Sequence, residues 1–245
     1  MLDELKVAVN AAKLAGDLLK PRFNHAVKIN SSIDKDIKLQ SDLDAEKVIL
    51  DYLEENSSHS ILSEESGQIN SEGNDEYRWI VDPLDGSLNF SRAIFINCIS
   101  IGLWKGMKPV LGVIYDFTHG DLYTGVIGDH AALNGDQITV SKIKEVSKSI
   151  ICTGFPVYSD FSSEKLSGFI NEIQSFKKVR LLGSAAMSLA LVSRGSVEAY
   201  KEDNIAIWDV AAGIPIVIAA GGVCDISMGK RENLLNVFAK SCELK

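Results

Sequence analysis

The stretch Trp79–Phe90, with the sequence WIVDPLDGSLNF, decides the fold and the chemistry of this chain. Three apolar residues open it as a buried strand would, and the Asp-Pro step ends the strand because proline has no backbone N–H to donate. Asp82 and Asp85 then lie three residues apart at the mouth of that strand. A helix that begins near Ser87 would direct free N–H groups toward both acids, which suits a phosphate. A solvated turn capped by Asp is the alternative interpretation.

Further acids stand far from this stretch in the chain. Asp209 lies among the apolar residues 205–212, and a buried carboxylate needs a partner, which favours a metal over a role at a helix N-terminus. Glu65 follows a short predicted strand and Asp42 opens a predicted helix, so solvated and capping roles stay open for these two. Oxygen ligands of this kind suit a hard cation such as Mg²⁺.

Composition narrows the classes of function. The 245 residues suffice for one large domain or two small lobes, and the net charge of −8 argues against a nucleic-acid polymer as partner. An acidic protein that binds an anion needs divalent cations to reverse the local charge. The chain contains no G-x-S-x-G, Walker A or G-x-G-x-x-G motif, which argues against a serine hydrolase, a P-loop enzyme and a dinucleotide enzyme.

The remaining composition signals point to a cytoplasmic protein. The four cysteines are scattered without a C-x-x-C, so we expect reduced and mostly buried thiols. The N-terminal residues lack the basic and apolar segments of a signal peptide, and no apolar run approaches 18 residues. We therefore expect no membrane association.

Hydrophobic periodicity predicts a layered α/β or α+β chain with a soft lobe boundary near 140–150. The first half is predicted to contain a helix over 2–20, a loop or hairpin over 24–40 and a helix from the N-cap Ser41 to about Glu55. Its predicted strands are 60–63, 78–81, 97–104, 109–115 and 121–127, and Asn134-Gly135 predicts a tight turn. In the second half helices alternate with strands, with predicted strands 149–153, 178–182, 197–201 and 223–226 and predicted helices 162–176, 184–192 and 206–220.

An ordered set of motifs resembles the inositol monophosphatase family of Mg²⁺-dependent, lithium-sensitive phosphatases. In chain order the motifs are SEES (63–66), WIVDPLDGSLNF (79–90), RLLGSAA (180–186), WDVAAG (208–213) and AGG (220–222). The resemblance covers about residues 5–228. It implies one phosphatase unit over residues 1–245, an αβαβα sandwich of the inositol monophosphatase and fructose-1,6-bisphosphatase type, and a homodimer.

The resemblance also implies roles for individual residues. The metal ligands for two or three Mg²⁺ ions would be Glu65, Asp82, Asp85, Asp209 and the backbone carbonyl of Leu84. The catalytic group would consist of Asp42, Glu65 and Ser87, with Asp42 and Ser87 orienting the attacking water. The phosphate and the hydroxyls of the substrate would be bound by Asp85, Gly86, Ser87, Ser184, Ala185, Glu202 and Asp209.

Three departures from the family pattern stand out. Leu39 replaces a threonine before the second helix, and Ser87 replaces a threonine but keeps the hydroxyl. The chain ends soon after the last predicted strand, which predicts a shortened C-terminal strand or helix.

The reaction implied is hydrolysis of a small phosphate ester by a metal-activated water. The segment Ser87–Phe90 differs from the Thr-Lys-Glu-Phe that bisphosphate nucleotidases often carry, which favours inositol-1-phosphate or a sugar phosphate. Fructose-1,6-bisphosphatase and 3′(2′),5′-bisphosphate nucleotidase activities stay open. A non-catalytic binding or regulatory protein on the same fold is the alternative from a different class.

Overall fold

The structure is a computed structural model that describes residues 1–25, 29–33, 36–69, 76–155 and 161–244, with only the backbone described for residues 29–33 and 36–38. The helices are α1 (Leu2–Leu19), α2 (Gln40–Asn56), α3 (Ser87–Ser91), α4 (Ser163–Ile173), α5 (Ala185–Ser193), α6 (Ile207–Val210) and α7 (Gly213–Ala219). Across the described part of the chain, none of the helices combines the length and the apolar character that a bilayer span requires.

The strands form three sheets. A two-stranded sheet pairs β1 (Ile29–Ile33) with β2 (Asp36–Leu39). An eight-stranded sheet has the order β10-β9-β8-β7-β6-β5-β3-β4 and a five-stranded sheet the order β12-β11-β13-β15-β14. Their strands are β3 (Ser60–Ser63), β4 (Gly67–Ile69), β5 (Tyr77–Asp85), β6 (Cys98–Lys105), β7 (Lys108–Asp116), β8 (Asp121–Val126), β9 (Ala131–Leu133), β10 (Asp136–Ile138), β11 (Ile150–Thr153), β12 (Lys178–Arg180), β13 (Ala199–Ala206), β14 (Gly222–Met228) and β15 (Leu234–Ser241).

Helices and sheets alternate in five layers. Helices α1 and α2 cover one face of the eight-stranded sheet, and α5, α6 and α7 fill the space between the two large sheets. Helix α4 lies beyond the five-stranded sheet, where Glu172 pairs with Lys201 of β13 at 2.6 Å. The predicted αβαβα sandwich is therefore confirmed. The predicted boundary near 140–150 falls between β10 and β11, and the division into lobes stays a proposal.

The turn between α6 and α7 is seated directly on the eight-stranded sheet. Pro215 has no N–H to donate, so the carbonyl of Ala211, four residues earlier, is free to accept Trp104 Nε1–H at 2.9 Å. Ser100 Oγ donates to the Trp208 carbonyl at 3.3 Å. A Cβ added at Gly102 of β6 would lie 2.6 Å from the Ala211 oxygen, so only glycine allows this approach. These contacts fix α6, which carries Asp209.

Most predicted elements are confirmed, including the meander of β6, β7 and β8. The predicted turn is formed by Asn134 and Gly135, both at positive φ. The loop or hairpin predicted over 24–40 contains the β1–β2 hairpin, with residues 26–28 and 34–35 outside the described residues.

Three predictions were wrong, each for a local reason. The second helix begins at Gln40 with Leu39 rather than Ser41 as its N-cap residue, because Asp42 at the third position accepts the Leu39 N–H at 2.6 Å. The single helix predicted over 206–220 is divided into α6 and α7. The last strand was predicted over 223–226, but the chain forms one more described strand, β15, which is eight residues long and lies between β13 and β14.

Replacing Gly102 with alanine should lower the free energy of unfolding by about 1–3 kcal/mol, because the new Cβ overlaps the Ala211 carbonyl. Urea unfolding followed by circular dichroism measures this. The matched control is Gly168→Ala in α4, where a Cβ meets nothing within 4 Å and a gain of about 0.5–1 kcal/mol is expected. Equal stabilities for the two variants would contradict the proposed seating of α6.

Candidate active site

A hydroxyl and a carboxylate from distant parts of the chain meet at the start of α3. Ser87 Oγ lies 3.0 Å from Asp42 Oδ1 and 2.9 Å from the Leu84 carbonyl oxygen, and it donates its single proton to one of them at a time. Gly86 precedes Ser87 at φ 89°, and a Cβ there would lie 2.7 Å from the Ile96 oxygen. Asp42 is also fixed by the Leu39 N–H. The predicted Asp42–Ser87 pair is thus present in the geometry.

The register of β3 and β5 decides which glutamate faces Asp82. The two strands are parallel, with Ser63 opposite Val81. Residues in register on parallel strands face the same side, so the next residues, Glu64 and Asp82, point the same way. Their carboxyl groups share a hydrogen bond, and Asp82 Oδ1 also accepts the Leu84 N–H at 3.0 Å. A hydrogen bond between two carboxyl groups requires that one of them carry a proton.

Glu65, which the family resemblance gave as a metal ligand, follows Glu64 in the turn after β3. Its backbone N–H donates to Glu46 Oε1 at 3.2 Å, and its carboxylate lies close enough to raise the pKa of Glu64. In the parallel register it stands one residue beyond the position opposite Asp82. The structure therefore places Glu64 against Asp82 at the end of β5, and the role of Glu65 as a ligand stays a prediction.

Asp85 is bound to the N-terminus of α5. Its Oδ2 accepts Ser184 Oγ–H at 2.6 Å and the Ala186 N–H at 2.7 Å, and the N–H of Ala185 adds a further bond. Ser184 also caps α5 by accepting the Met187 N–H at 3.1 Å. A carboxylate at a helix N-terminus is stabilised by the free N–H groups and the helix dipole. This contact joins the end of β5 to the second half of the chain.

Asp209 and Glu202 complete the group of acids. Asp209, in the first turn of α6, shares a hydrogen bond with Asp82 and lies close to Asp85, Glu64 and Glu202. Glu202 belongs to β13, and its Oε1 lies against Gly154, where a Cβ would come within 2.6 Å. The buried hydroxyl of Tyr200 lies beside Glu202 on the same strand and interacts with its carboxyl group.

Burial and mutual repulsion raise the pKa values of these carboxyls. Burial, with the neighbouring Glu65, Asp42 and Asp85 carboxylates, raises the pKa of Glu64 to about 8. Burial raises the pKa of Asp85 to about 6 despite the donors on α5. Burial first, and then the neighbouring acids, raise the pKa of Asp82 and Asp209 well above the ordinary range. Burial and the Asp85 carboxylate raise the pKa of Glu202 to about 8.

The chemistry of the donor set fits hard divalent cations. The acids Glu64, Asp82, Asp85, Glu202 and Asp209 offer carboxylate oxygens. The Leu84 carbonyl oxygen, between Asp82 and Asp85 in the chain, lies 2.9 Å from Ser87 Oγ. Within the described residues, no group of three or more such side chains is already arranged to hold an ion. The carboxyls of Glu64 and Asp209 each lie within hydrogen-bonding distance of Asp82.

A cavity of about 920 Å³ adjoins Glu202. Phe155 and Phe169, with ring centroids 4.9 Å apart, contribute an aromatic wall. Among the described residues, four acids and three lysines line it: Glu164, Glu172, Glu202, Asp203, Lys165, Lys201 and Lys230. The described lining therefore has no excess of positive charge.

The structure brings the predicted site residues other than Glu65 together around the end of β5 and the start of α3. The converging set is Asp42, Asp82, Leu84, Asp85, Gly86, Ser87, Ser184, Ala185, Glu202 and Asp209. Sequence reasoning missed Glu46, which binds the turn after β3, and Asn89, whose Nδ2 donates to the carbonyls of Ile96 and Leu182 at 2.8 Å. The spacing of Glu46 four residues after Asp42 on a helix was the available signal.

Comparisons with known proteins give a family match and similar proteins over most of the chain. The model of the inositol monophosphatase family matches residues 1–240. Inositol monophosphatase 2 of Solanum lycopersicum is 35% identical over 230 residues, which cover 91% of this chain and 87% of that protein. Nus factor SuhB of Xylella fastidiosa is 34% identical over 245 residues, with 98% and 88% covered. The crystal structure of extragenic suppressor protein suhB from Bartonella henselae matches with a TM-score of 0.86 and 31% identity, covering 97% of this chain and 93% of that one.

Proposed function

The chain belongs to the inositol monophosphatase family, and we propose that it is a Mg²⁺-dependent phosphomonoesterase for inositol-1-phosphate or a related sugar phosphate. The observation that carries the proposal is the meeting of Glu64, Asp82, Asp85 and Asp209 beside the hydroxyl of Ser87. Buried acids of like charge are costly unless a cation or a proton offsets them. Divalent cations would offset them and attract a phosphate to a protein of net charge −8.

We assign the cation ligands to Glu64, Asp82, Asp85, Asp209 and the carbonyl of Leu84. Glu64 takes the place first given to Glu65, because Glu64 is the residue aligned with Asp82 across β3 and β5. Two or three Mg²⁺ ions per site remain the proposal. Bound Mg²⁺ would neutralise the phosphate and lower the pKa of a coordinated water.

The protein's own groups orient the reactants. Asp42 would accept a hydrogen bond from the Ser87 hydroxyl. A lone pair of Ser87 Oγ would then be available to accept a hydrogen bond from the attacking water. The N–H groups of Gly86 and Ser87 would bind the phosphate at the start of α3. Ser184, Ala185 and Glu202 would contact the hydroxyls of the leaving alcohol, and Asp85 and Asp209 would add contacts beside the ions.

The charge of the cavity favours a monophosphate of an uncharged polyol. A bisphosphate would bring a second dianion into a space where the described acids outnumber the described lysines. Lys201 is also engaged by Glu172 at 2.6 Å. Fructose-1,6-bisphosphate and bisphosphate nucleotides are therefore the less favoured substrates.

A second candidate comes from the names of the relatives. Several relatives at 31–34% identity are named Nus factor SuhB, whereas others of similar identity are named inositol monophosphatase. The second candidate is therefore a regulatory or binding role on the same fold, with or without turnover. The acids and the Asp42–Ser87 pair favour the enzyme.

The assembly and location are proposals as well. The family resemblance supports a homodimer, and the scattered cysteines support a reducing cytoplasm. The negative net charge supports a small phosphate ester rather than a nucleic-acid polymer as the partner.

The purified protein should release phosphate from inositol-1-phosphate faster than from fructose-1,6-bisphosphate, histidinol phosphate or adenosine 3′,5′-bisphosphate, and only with Mg²⁺. Asp209→Asn should lower this rate by more than about 100-fold, because it removes a ligand charge. The matched control is Asp225→Asn on the exposed side of β14, which should behave as wild type. A folded wild-type protein inactive on every ester would favour the regulatory role.

Separate substitution of the two adjacent glutamates tests the ligand assignment. Glu64→Gln should abolish most Mg²⁺-dependent phosphate release, because it neutralises the carboxylate that faces Asp82. Glu65→Gln should keep a rate near wild type. Rates are compared at several Mg²⁺ concentrations, with circular dichroism as the check of folding. A larger loss of phosphate release in Glu65→Gln than in Glu64→Gln would restore Glu65 as the ligand.

A further inference from the structure

Glu46 is a buried carboxylate that binds the turn carrying Glu64. The side chain is 4% exposed. Its Oε1 accepts the N–H of Glu65 at 3.2 Å and the N–H of Ser66 at 3.0 Å, and its Oε2 accepts Ser66 Oγ–H at 2.6 Å. Three donors from one short segment therefore converge on a single carboxylate from another element.

The segment that Glu46 binds is the short turn between β3 and β4. Residues Glu64, Glu65 and Ser66 form the turn between β3 and β4, which Gly67 closes at φ 70°. Strand β4 is three residues long and lies at the edge of its sheet. The N–H of Glu64 donates to the Val81 carbonyl at 3.1 Å, and the next two N–H groups donate to Glu46. The direction of the Glu64 side chain therefore depends on a contact with α2.

Helix α2 binds two parts of the site from one face. Residues four apart on a helix lie side by side, as Asp42 and Glu46 do. Asp42 accepts from Ser87, at the start of α3, and Glu46 accepts from the turn that carries Glu64. The distance between Ser87, which would orient water, and Glu64, which would bind the ion, is thus set by one turn of a rigid helix.

We infer that Glu46 is a positioning residue that fixes Glu64 for cation binding through the backbone of Glu65 and Ser66. The inference rests on the proposed function insofar as Glu64 is a cation ligand. Glu46 acts as a hydrogen-bond acceptor. The length of its side chain, which places the oxygens at the turn, matters more for this role than its negative charge. Loss of a residue that orients a metal ligand typically weakens metal binding by about 10- to 100-fold.

Four substitutions distinguish the loss of the hydrogen-bond acceptor from the loss of negative charge and from a general effect on folding. Glu46→Ala removes the acceptors, whereas Glu46→Gln keeps an oxygen for the two N–H groups and an N–H₂ group beside Ser66 Oγ. Glu46→Asp keeps the charge but withdraws the oxygens by one methylene. Glu55→Ala is the matched control, an exposed glutamate near the end of the same helix.

Two measurements are made on the metal-free protein without substrate. Calorimetric titration gives the Mg²⁺ affinity, and amide hydrogen exchange gives the protection of Glu65 and Ser66. Glu46→Ala and Glu46→Asp should weaken Mg²⁺ binding by about 10-fold or more and speed exchange at both amides. Glu46→Gln and Glu55→Ala should stay near wild type in both measurements.

The order of the variants decides the outcome. If Glu46→Asp binds Mg²⁺ at least as tightly as Glu46→Gln, the charge of the side chain matters more than its length, and the inference is overturned. Wild-type affinity in Glu46→Ala overturns it as well. Should Glu46→Ala fail to fold, the Mg²⁺ affinities of Glu46→Asp and Glu46→Gln still test the inference. A wild-type protein that binds no Mg²⁺ would refute the proposed function itself, whereas unaltered binding in the variants refutes only the role of Glu46.

Discussion

The crowding of buried and half-buried carboxyls at the end of β5 is the constraint on which the site depends. Asp82, Asp85, Asp209 and Glu64 lie close enough to share hydrogen bonds and to raise one another's pKa values. A protein built only for stability would avoid such a group, because each buried charge loses hydration and repels its neighbours. The fold brings the acids together from β5, the turn after β3 and helix α6. The cost of this crowding is explained if cations complete the group.

The scaffold that holds the acids is assembled from both halves of the chain. Parallel pairing of β3 and β5 aligns Glu64 with Asp82, and the N-terminus of α5 binds Asp85. The proline in α7 leaves a carbonyl for Trp104, which seats α6 and its Asp209 on the sheet. Helix α2 adds the contact to Ser87. Displacement of any of these elements would separate the acids.

The sequence predicted the αβαβα layers and most of the residues that the structure brings together at the end of β5, because apolar strands that end in acids and glycines are local signals. The roles of these residues stay a prediction. The family resemblance implied Glu65 rather than Glu64 as the ligand. The sequence alone does not show which of the two faces Asp82, since that depends on the register of β3 against β5, a property of pairing between distant segments. Strand β15 was missed because it follows the segment that resembles the family motifs, although it alternates buried and half-buried residues. The N-cap at Leu39 was missed because the capping acceptor belongs to Asp42, three residues later.

Anomalous diffraction from crystals soaked in Mn²⁺, which takes oxygen ligands as Mg²⁺ does, tests the central claim most directly. The account predicts anomalous peaks among the carboxylates of Glu64, Asp82, Asp85 and Asp209, within bonding distance of the Leu84 carbonyl. It also predicts that Mn²⁺ ends the hydrogen bonds that Asp82 shares with Glu64 and Asp209. Fully soaked crystals without a peak at these acids, or with Mn²⁺ bound only elsewhere on the surface, would contradict it.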